Sequence, residues 1–333
     1  MTLPLPKPAI TVAMGVYNNA PHLRLAIESI LSQSFGDFEF LIVNDGSKDG
    51  SGDIIDSYAA ADPRVRAIHQ ENRGLVASLN RIVAEARAPL IARMDGDDIS
   101  LPERFERQLS FMKDNPHYGV VGTWATSIDA KGELDTIHGE DQPTDWEGFQ
   151  KALWGKPLMC HPAVIAKTEV LRQVGGYRPC YRYCEDYDLW LRLAEVTQLC
   201  SIPERLLLYR YSDGQVSSRH IVEQTIGAAV AWLAREERLA GRPDPTQGIE
   251  RLPPLEELDT LFGRTGVGKA VRDRVAPAFI YSKVALEGDG FRMLLDHVRD
   301  GGDKGGLWRT TARLMRFGQP ARALRLASAL AKT

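Results

Sequence analysis

Four short apolar runs, each followed by apolar residues at helical spacing, fill residues 9–105, and this alternation restricts the fold more than any other feature of the chain. Ala9 to Val16 (AITVAMGV), Phe38 to Val43 (FEFLIV), Val65 to His69 and Pro89 to Met94 read as strands, apolar with β-branched residues. Leu23, Ile27, Ile30 and Leu31 follow the first run after Pro21. Ile54, Ile55 and Tyr58 follow the second, after Asp49 or Ser51; Leu75, Leu79, Ile82 and Val83 follow the third; Pro102 opens a helical pattern after the fourth. Such alternation predicts an α/β domain with a mostly parallel central sheet and helices on both faces. In an open sheet of that kind, ligands bind in a crevice beyond the carboxyl ends of the strands. The residues expected there are polar: Tyr17 and Asn18, Asp45, Arg73, then Asp95 and Asp97.

The fourth run ends in three carboxylates within four residues, Asp95, Asp97 and Asp98. Carboxylates this close repel one another and lose hydration when partly buried, so a positive group should offset them. A hard divalent cation, Mg²⁺ or Mn²⁺, meets that need with oxygen ligands and bridges readily to substrate phosphates. A solvated acidic turn, with Asp98 or Ser100 capping the next helix, fits these residues equally well. Neither GxGxxG nor GxxxxGK[ST] occurs, so a dinucleotide or P-loop site is not indicated.

The chain has 333 residues, enough for one large domain and a smaller one. Its net charge of −3 gives no argument for nucleic acid. The charge is unevenly spread: Lys304 to Thr333 holds seven basic residues and no acidic one, which leaves 34 basic against 44 acidic residues before it. No uninterrupted apolar stretch approaches membrane-spanning length, and MTLPLPKPAI has three prolines and no apolar core of a signal peptide, so neither a span nor a secretory signal is expected. Cys160, Cys180, Cys184 and Cys200 are read as free thiols of a reducing compartment; Cys180 and Cys184 lack a second pair at metal-ligand spacing.

Seven ordered segments carry a resemblance: VYN (Val16–Asn18), VNDGSKDGS (Val43–Ser51), ENRGLVASLN (Glu71–Asn80), ARMDGDDISLPERF (Ala92–Phe105), His161-Pro162, GGY (Gly175–Tyr177) and EDYDLWLRLAE (Glu185–Glu195). Together they resemble the family 2 glycosyltransferases, which have the GT-A nucleotide-sugar-binding fold. The resemblance implies that Tyr17 lies against the nucleobase, that Asp45 accepts hydrogen bonds from the base, and that Arg73 frames or neutralises the nucleotide. It implies that Asp97 ligates the metal, that Asp95 contacts ribose or metal, and that Asp98 supports or caps. Asp186 matches the position of the general base; its alternative reading is a carboxylate stabilising a helix start. Asp188, Arg192 and Glu195 are expected in surface or supporting pairs, Trp190 in the core, and His161 in a structural role or in the acceptor pocket.

By the same resemblance the chain is an inverting, metal-dependent transferase that takes a nucleoside-diphosphate sugar, UDP-sugar by family habit, to a saccharide or lipid-linked saccharide acceptor. There are departures. Ser212 stands where family members often have a histidine, with Asp213 or His220 as substitutes, and the QxxRW signature of processive synthases is absent, Gln215 being followed by VSSRH. Transfer of one sugar at a time is therefore expected, with a catalytically silent nucleotide-sugar binder as the alternative. A nucleotidyltransferase is disfavoured because Val16 to Pro21 is no Gly-rich phosphate loop.

The expected division is a catalytic domain over 1–219 and a helical region over 220–333. Helices are expected at Ile221–Leu239, Leu255–Phe262, Lys269–Glu287, Phe291–Arg299, Leu307–Phe317 and Pro320–Ala331. The expected location is cytoplasmic. Basic amphipathic helices can lie on anionic membrane, so 304–333 has two readings: peripheral contact at the cytoplasmic membrane face, or a solvated helical cap that packs on the catalytic domain or mediates self-association.

Overall fold

The computed structural model describes residues 7–134, 141–154, 158–211 and 220–332. They divide into two compact units, one within Met1–Arg178 and Leu189–Ser212, the other within Pro179–Asp188 and Asp213–Thr333.

The first unit is built on an eight-stranded sheet. In chain order its elements are β1 (Ile10–Val16), α1 (Ala20–Leu31), β2 (Phe38–Asn44), α2 (Ser51–Ala61), β3 (Val65–His69), α3 (Leu75–Glu85), β4 (Leu90–Asp95), β5 (Ile99–Ser100), α4 (Arg104–Asp114), β6 (Tyr118–Ile128), α5 (Trp146–Ala152), β7 (Ile165–Lys167), α6 (Thr168–Gln173), the helix α7 (Glu185–Leu193), which enters from the second unit, and β8 (Gln198–Arg210). The strand order is β3-β2-β1-β4-β7-β6-β8-β5. The first four strands are parallel; β7 runs antiparallel to β4 and β6, and β5 antiparallel to β8. A mostly parallel sheet flanked by helices is therefore present as expected.

Strands buried on both faces should read as continuous apolar runs, and β1 and β2 do. Ile10, Val12, Met14, Phe40 and Ile42 join Leu23, Ile27 and Ile30 of α1 in one core cluster. Phe38 packs edge-on against Phe105 of α4, with ring centroids 5.9 Å apart. In-register pairing sets Val16 beside Asn44 and Gly15 beside Asp95, so the ends of β2, β1 and β4 form adjacent steps of one edge.

The second unit contains α8 (Ile221–Leu239), α9 (Leu258–Phe262), α10 (Val267–Phe279), α11 (Lys283–Glu287), α12 (Gly290–Arg299), α13 (Leu307–Arg316) and α14 (Pro320–Lys332). Phe291, Leu294, Leu295, Val298, Leu307, Leu314, Leu326 and Leu330 supply its apolar core. The helix expected over Lys269–Glu287 is interrupted after Phe279, and Ser282 starts α11 by accepting a hydrogen bond from the Ala285 N–H. No helix among the described residues is long and apolar enough to cross a membrane. All four cysteines are free thiols.

Candidate active site

The site is built where β1, β2 and β4 end. Beyond β1, Asn18 adopts a left-handed conformation (φ 54°), its N–H donating to Ser47 Oγ (3.0 Å) and its Oδ1 accepting from the Lys48 N–H (2.8 Å). Asn19 Oδ1 holds the Tyr17 N–H (3.2 Å), and Asp49 accepts from the Ala20 N–H (2.9 Å) and the Ser51 hydroxyl (2.6 Å). These bonds tie the 17–20 and 47–51 loops together and leave the Tyr17 ring 51% exposed.

Asp45, buried at the end of β2, accepts at Oδ1 from Gln70 Nε2 (2.7 Å) and the Arg73 N–H (2.9 Å), and at Oδ2 from the Gly74 N–H (2.8 Å). A carboxylate offers about four acceptor positions, of which three serve the 70–74 loop. Gly46 is required beside it: φ is 75°, and a Cβ there would lie 2.8 Å from the Asn72 backbone nitrogen. The Arg73 side chain is exposed and its guanidinium has no partner among the described residues. Because the Asp45 carboxylate bonds stitch this loop, Asp45→Asn should lower stability by about 1–3 kcal/mol, the cost of presenting a donor to a buried donor. Urea unfolding would register that loss.

The acidic tip of β4 sits against the same loops, since a Cβ at Gly96 would meet the Asn19 side chain at 3.3 Å. Asp95, Asp97 and Asp98 each offer a carboxylate oxygen within 4.8 Å of the others. Burial, and then the charge of Asp95, push the Asp97 carboxyl up to about 6. Burial and the charges of Asp95 and Asp97 push Asp98 well above the ordinary carboxylate range. Asp98 is 1% exposed; its Oδ1 accepts from the Arg210 N–H (2.8 Å), and its buried Oδ2 has no hydrogen-bond partner among the described residues. It does not cap α4, which has no side-chain cap.

Three arginines surround the tip. The buried Arg93 guanidinium pairs with Asp95; burial works against its charge, and Asp95, Tyr177 and Asp98 together more than offset that and keep it protonated. Arg210 donates from Nε to the Asp97 carbonyl (2.7 Å). Arg104, fully buried, donates to the Pro162 carbonyl (2.6 Å), and burial pulls its guanidinium down to about 9. The sequence reading passed over all three. Arg93 had left a local signal, a cation inside the apolar run LIARM just before the acids; Arg104 and Arg210 reach the tip only through tertiary packing.

Other segments of the resemblance hydrogen-bond to one another. Asn80 clamps Tyr177, donating to its carbonyl and accepting from its N–H, both at 2.8 Å. Arg192 is buried rather than at the surface, donating to the Val174 (2.7 Å) and Gly176 (2.8 Å) carbonyls. His161 Nε2 meets the Tyr177 hydroxyl at 2.7 Å, its ring edge-on to the buried Trp190; burial, then the Arg93 charge, keep it neutral.

Asp186 lies in the first turn of α7, half-buried, with Oδ1 accepting from the Tyr187 N–H (2.7 Å), as a carboxylate at a helix start does. Asp95, Asp97 and Asp98 belong to the first unit, whereas Asp186 itself, with the residues from Pro179 to Asp188, belongs to the second. There Tyr183 is left-handed (φ 72°) and stacks on His220, centroids 3.9 Å apart. Ser212, Asp213 and Gln215 lie outside the described residues.

The family model for glycosyl transferase family 2 matches residues 11–175. The chain is 38% identical over 192 residues to EpsE of Bacillus subtilis, covering 56% of this chain and 67% of that protein. It is 34% identical over 190 residues to the O-antigen biosynthesis glycosyltransferase WbnJ of Escherichia coli, covering 55% and 71%. Among solved structures, Staphylococcus aureus TarS 1–349 in complex with UDP aligns with a TM-score of 0.55 at 16% identity, over 96% of this chain and 88% of TarS. The mannosyltransferase PcManGT of Pyrobaculum calidifontis, in complex with GDP-Man and Mn²⁺, aligns with a TM-score of 0.51 at 16% identity, over 98% and 88%. With this sheet, this acidic tip and these relatives, the chain belongs to glycosyl transferase family 2, on the GT-A fold.

Proposed function

We propose that the chain moves one sugar from a nucleoside-diphosphate sugar to an acceptor hydroxyl in polysaccharide or glycolipid assembly, with inversion at the anomeric carbon. The observation that carries this is the acidic tip, set on the same sheet edge as Tyr17, Asp45 and Arg73. It supports divalent-cation binding on two grounds: the donor set is all hard oxygen, and the buried Asp98 Oδ2 lacks a partner among the described residues. A carboxyl raised from 3.8 to about 6, as at Asp97, makes the empty fold less stable as pH rises through that interval; a cation would offset the cost. Asp97 and Asp95 would hold Mn²⁺ or Mg²⁺, which when bound supplies charge for the diphosphate.

The chain's own residues do the rest. The exposed Tyr17 ring offers a flat apolar surface to the base, and the remaining acceptor position of Asp45 orients it. Arg73, free to reach outward, neutralises phosphate charge as it grows on departure. Asp186 takes the proton of the acceptor hydroxyl as that oxygen attacks the anomeric carbon opposite the leaving diphosphate. The new glycosidic bond forms as the sugar–phosphate bond breaks.

UDP-sugar is the favoured donor: TarS was solved with UDP and with UDP-GlcNAc, and PcManGT with GDP-Man. Ligands that bind only the folded chain raise its unfolding temperature. UDP-sugar with Mn²⁺ should therefore raise the midpoint more than either alone, and added acceptor should release UDP. No shift with any UDP-, GDP- or dTDP-sugar would reject the donor site. A shift without UDP release in the presence of candidate acceptors would favour the silent binder.

A further inference from the structure

We propose that the outer face of the α13–α14 hairpin docks on an anionic lipid leaflet, lying in its plane through an apolar stripe edged with arginine. The proposal names the surface for the expected 304–333 membrane contact and stands apart from the donor site.

Leu307, Thr310 and Leu314 turn one side of α13 inward, and Ala323, Leu326, Ala329 and Leu330 do so for α14. At 100° per residue, Trp308, Ala312 and Met315 fall on a line roughly opposite the buried side of α13. Trp308 and Met315 are each 57% exposed, and together with Ala312 they make a line rather than singly scattered apolar residues. Arg309 and Arg316 form the adjacent line, exposed and without partners among the described residues. On α14 the pattern returns: Leu324, 71% exposed, aligns with Ala331, and Arg325 with Lys332 beside them.

The charge identifies the occupant. With seven basic and no acidic residues over 304–333, nothing on this segment repels an anionic surface, whereas the preceding chain carries an excess of ten acidic residues. Apolar residues bordered by cations are what an in-plane helix needs: tryptophan settles at headgroup depth and guanidinium bonds lipid phosphate.

The test is co-sedimentation of the full chain with phosphatidylcholine vesicles, with and without phosphatidylglycerol. The protein should bind the anionic vesicles and lose about tenfold or more in partition on neutral ones or in high salt. W308S/M315S and R309E/R316E should each cause a loss of similar size with unchanged circular dichroism and thermal midpoint, while R309K/R316K should keep most of the binding. Wild-type protein that ignores anionic vesicles, or variants that bind as wild type, would overturn the proposal. Mass doubling that W308S/M315S abolishes, without vesicle binding, would show a second copy to be the occupant and would overturn it too.

Discussion

Asp186→Asn should lower sugar transfer by about 10²–10⁴-fold, the usual contribution of a positioned general base, and leave donor affinity near the wild-type value. The two effects separate because asparagine keeps the size and the oxygen that accepts the Tyr187 N–H at the start of α7, yet cannot take a proton at neutral pH. If Asp186 were only a helix-start carboxylate, the same change would shift the thermal midpoint slightly and transfer would persist. Single-turnover rates with saturating donor therefore discriminate. Transfer within a few-fold of wild type would remove Asp186 from the chemistry, whatever its match to the family position.

Asp97→Ala should abolish the Mn²⁺-dependent part of donor binding, a loss of about tenfold to a hundredfold, the range typical when a metal site loses a needed group. The raised carboxyl of Asp97 reports a place where negative charge is costly until a cation arrives. Removing one acid also relieves the repulsion on Asp98. The variant should therefore be at least as stable as wild type without metal, which sets ligand loss apart from misfolding. Asp98→Asn is expected to disturb the tip by another route, since Asp98 Oδ1 anchors the Arg210 N–H at the end of β8.

The parallel half of the sheet was legible because its strands are short, apolar on both faces and separated by helices with regular spacing. The expected ends of β1, β2, β3 and β4 fall within a residue of the observed ones. The mixed half was not. β6 and β8 pair across some eighty residues and carry polar residues such as Thr123, Ser201 and Arg205, so no local period marks them. β5 is two residues long and exists because β8 is there to receive it.

The site divided along the same line. Asp45, Asp95 and Asp97 stand at strand ends, where the alternation alone puts them. The residues that fix their electrostatics are buried cations: Arg93 pairs with Asp95 of its own strand, while Arg104 and Arg210 find partners in other loops. Leu75, one of the apolar residues that mark α3 in the sequence, is exposed at its first residue, just past the loop that Asp45 holds.

The claim on which the rest depends is that the tip of β4 binds a diphosphate through a cation. Anomalous diffraction from crystals grown with UDP and Mn²⁺ tests it directly. The account predicts a manganese peak about 2.0–2.2 Å from an Asp97 carboxylate oxygen, at a distance typical of hard-cation coordination, shared with the diphosphate, and gone in Asp97→Ala. Ordered UDP beside Asp45 with no metal peak at Asp95 and Asp97, or manganese bound elsewhere, would contradict it.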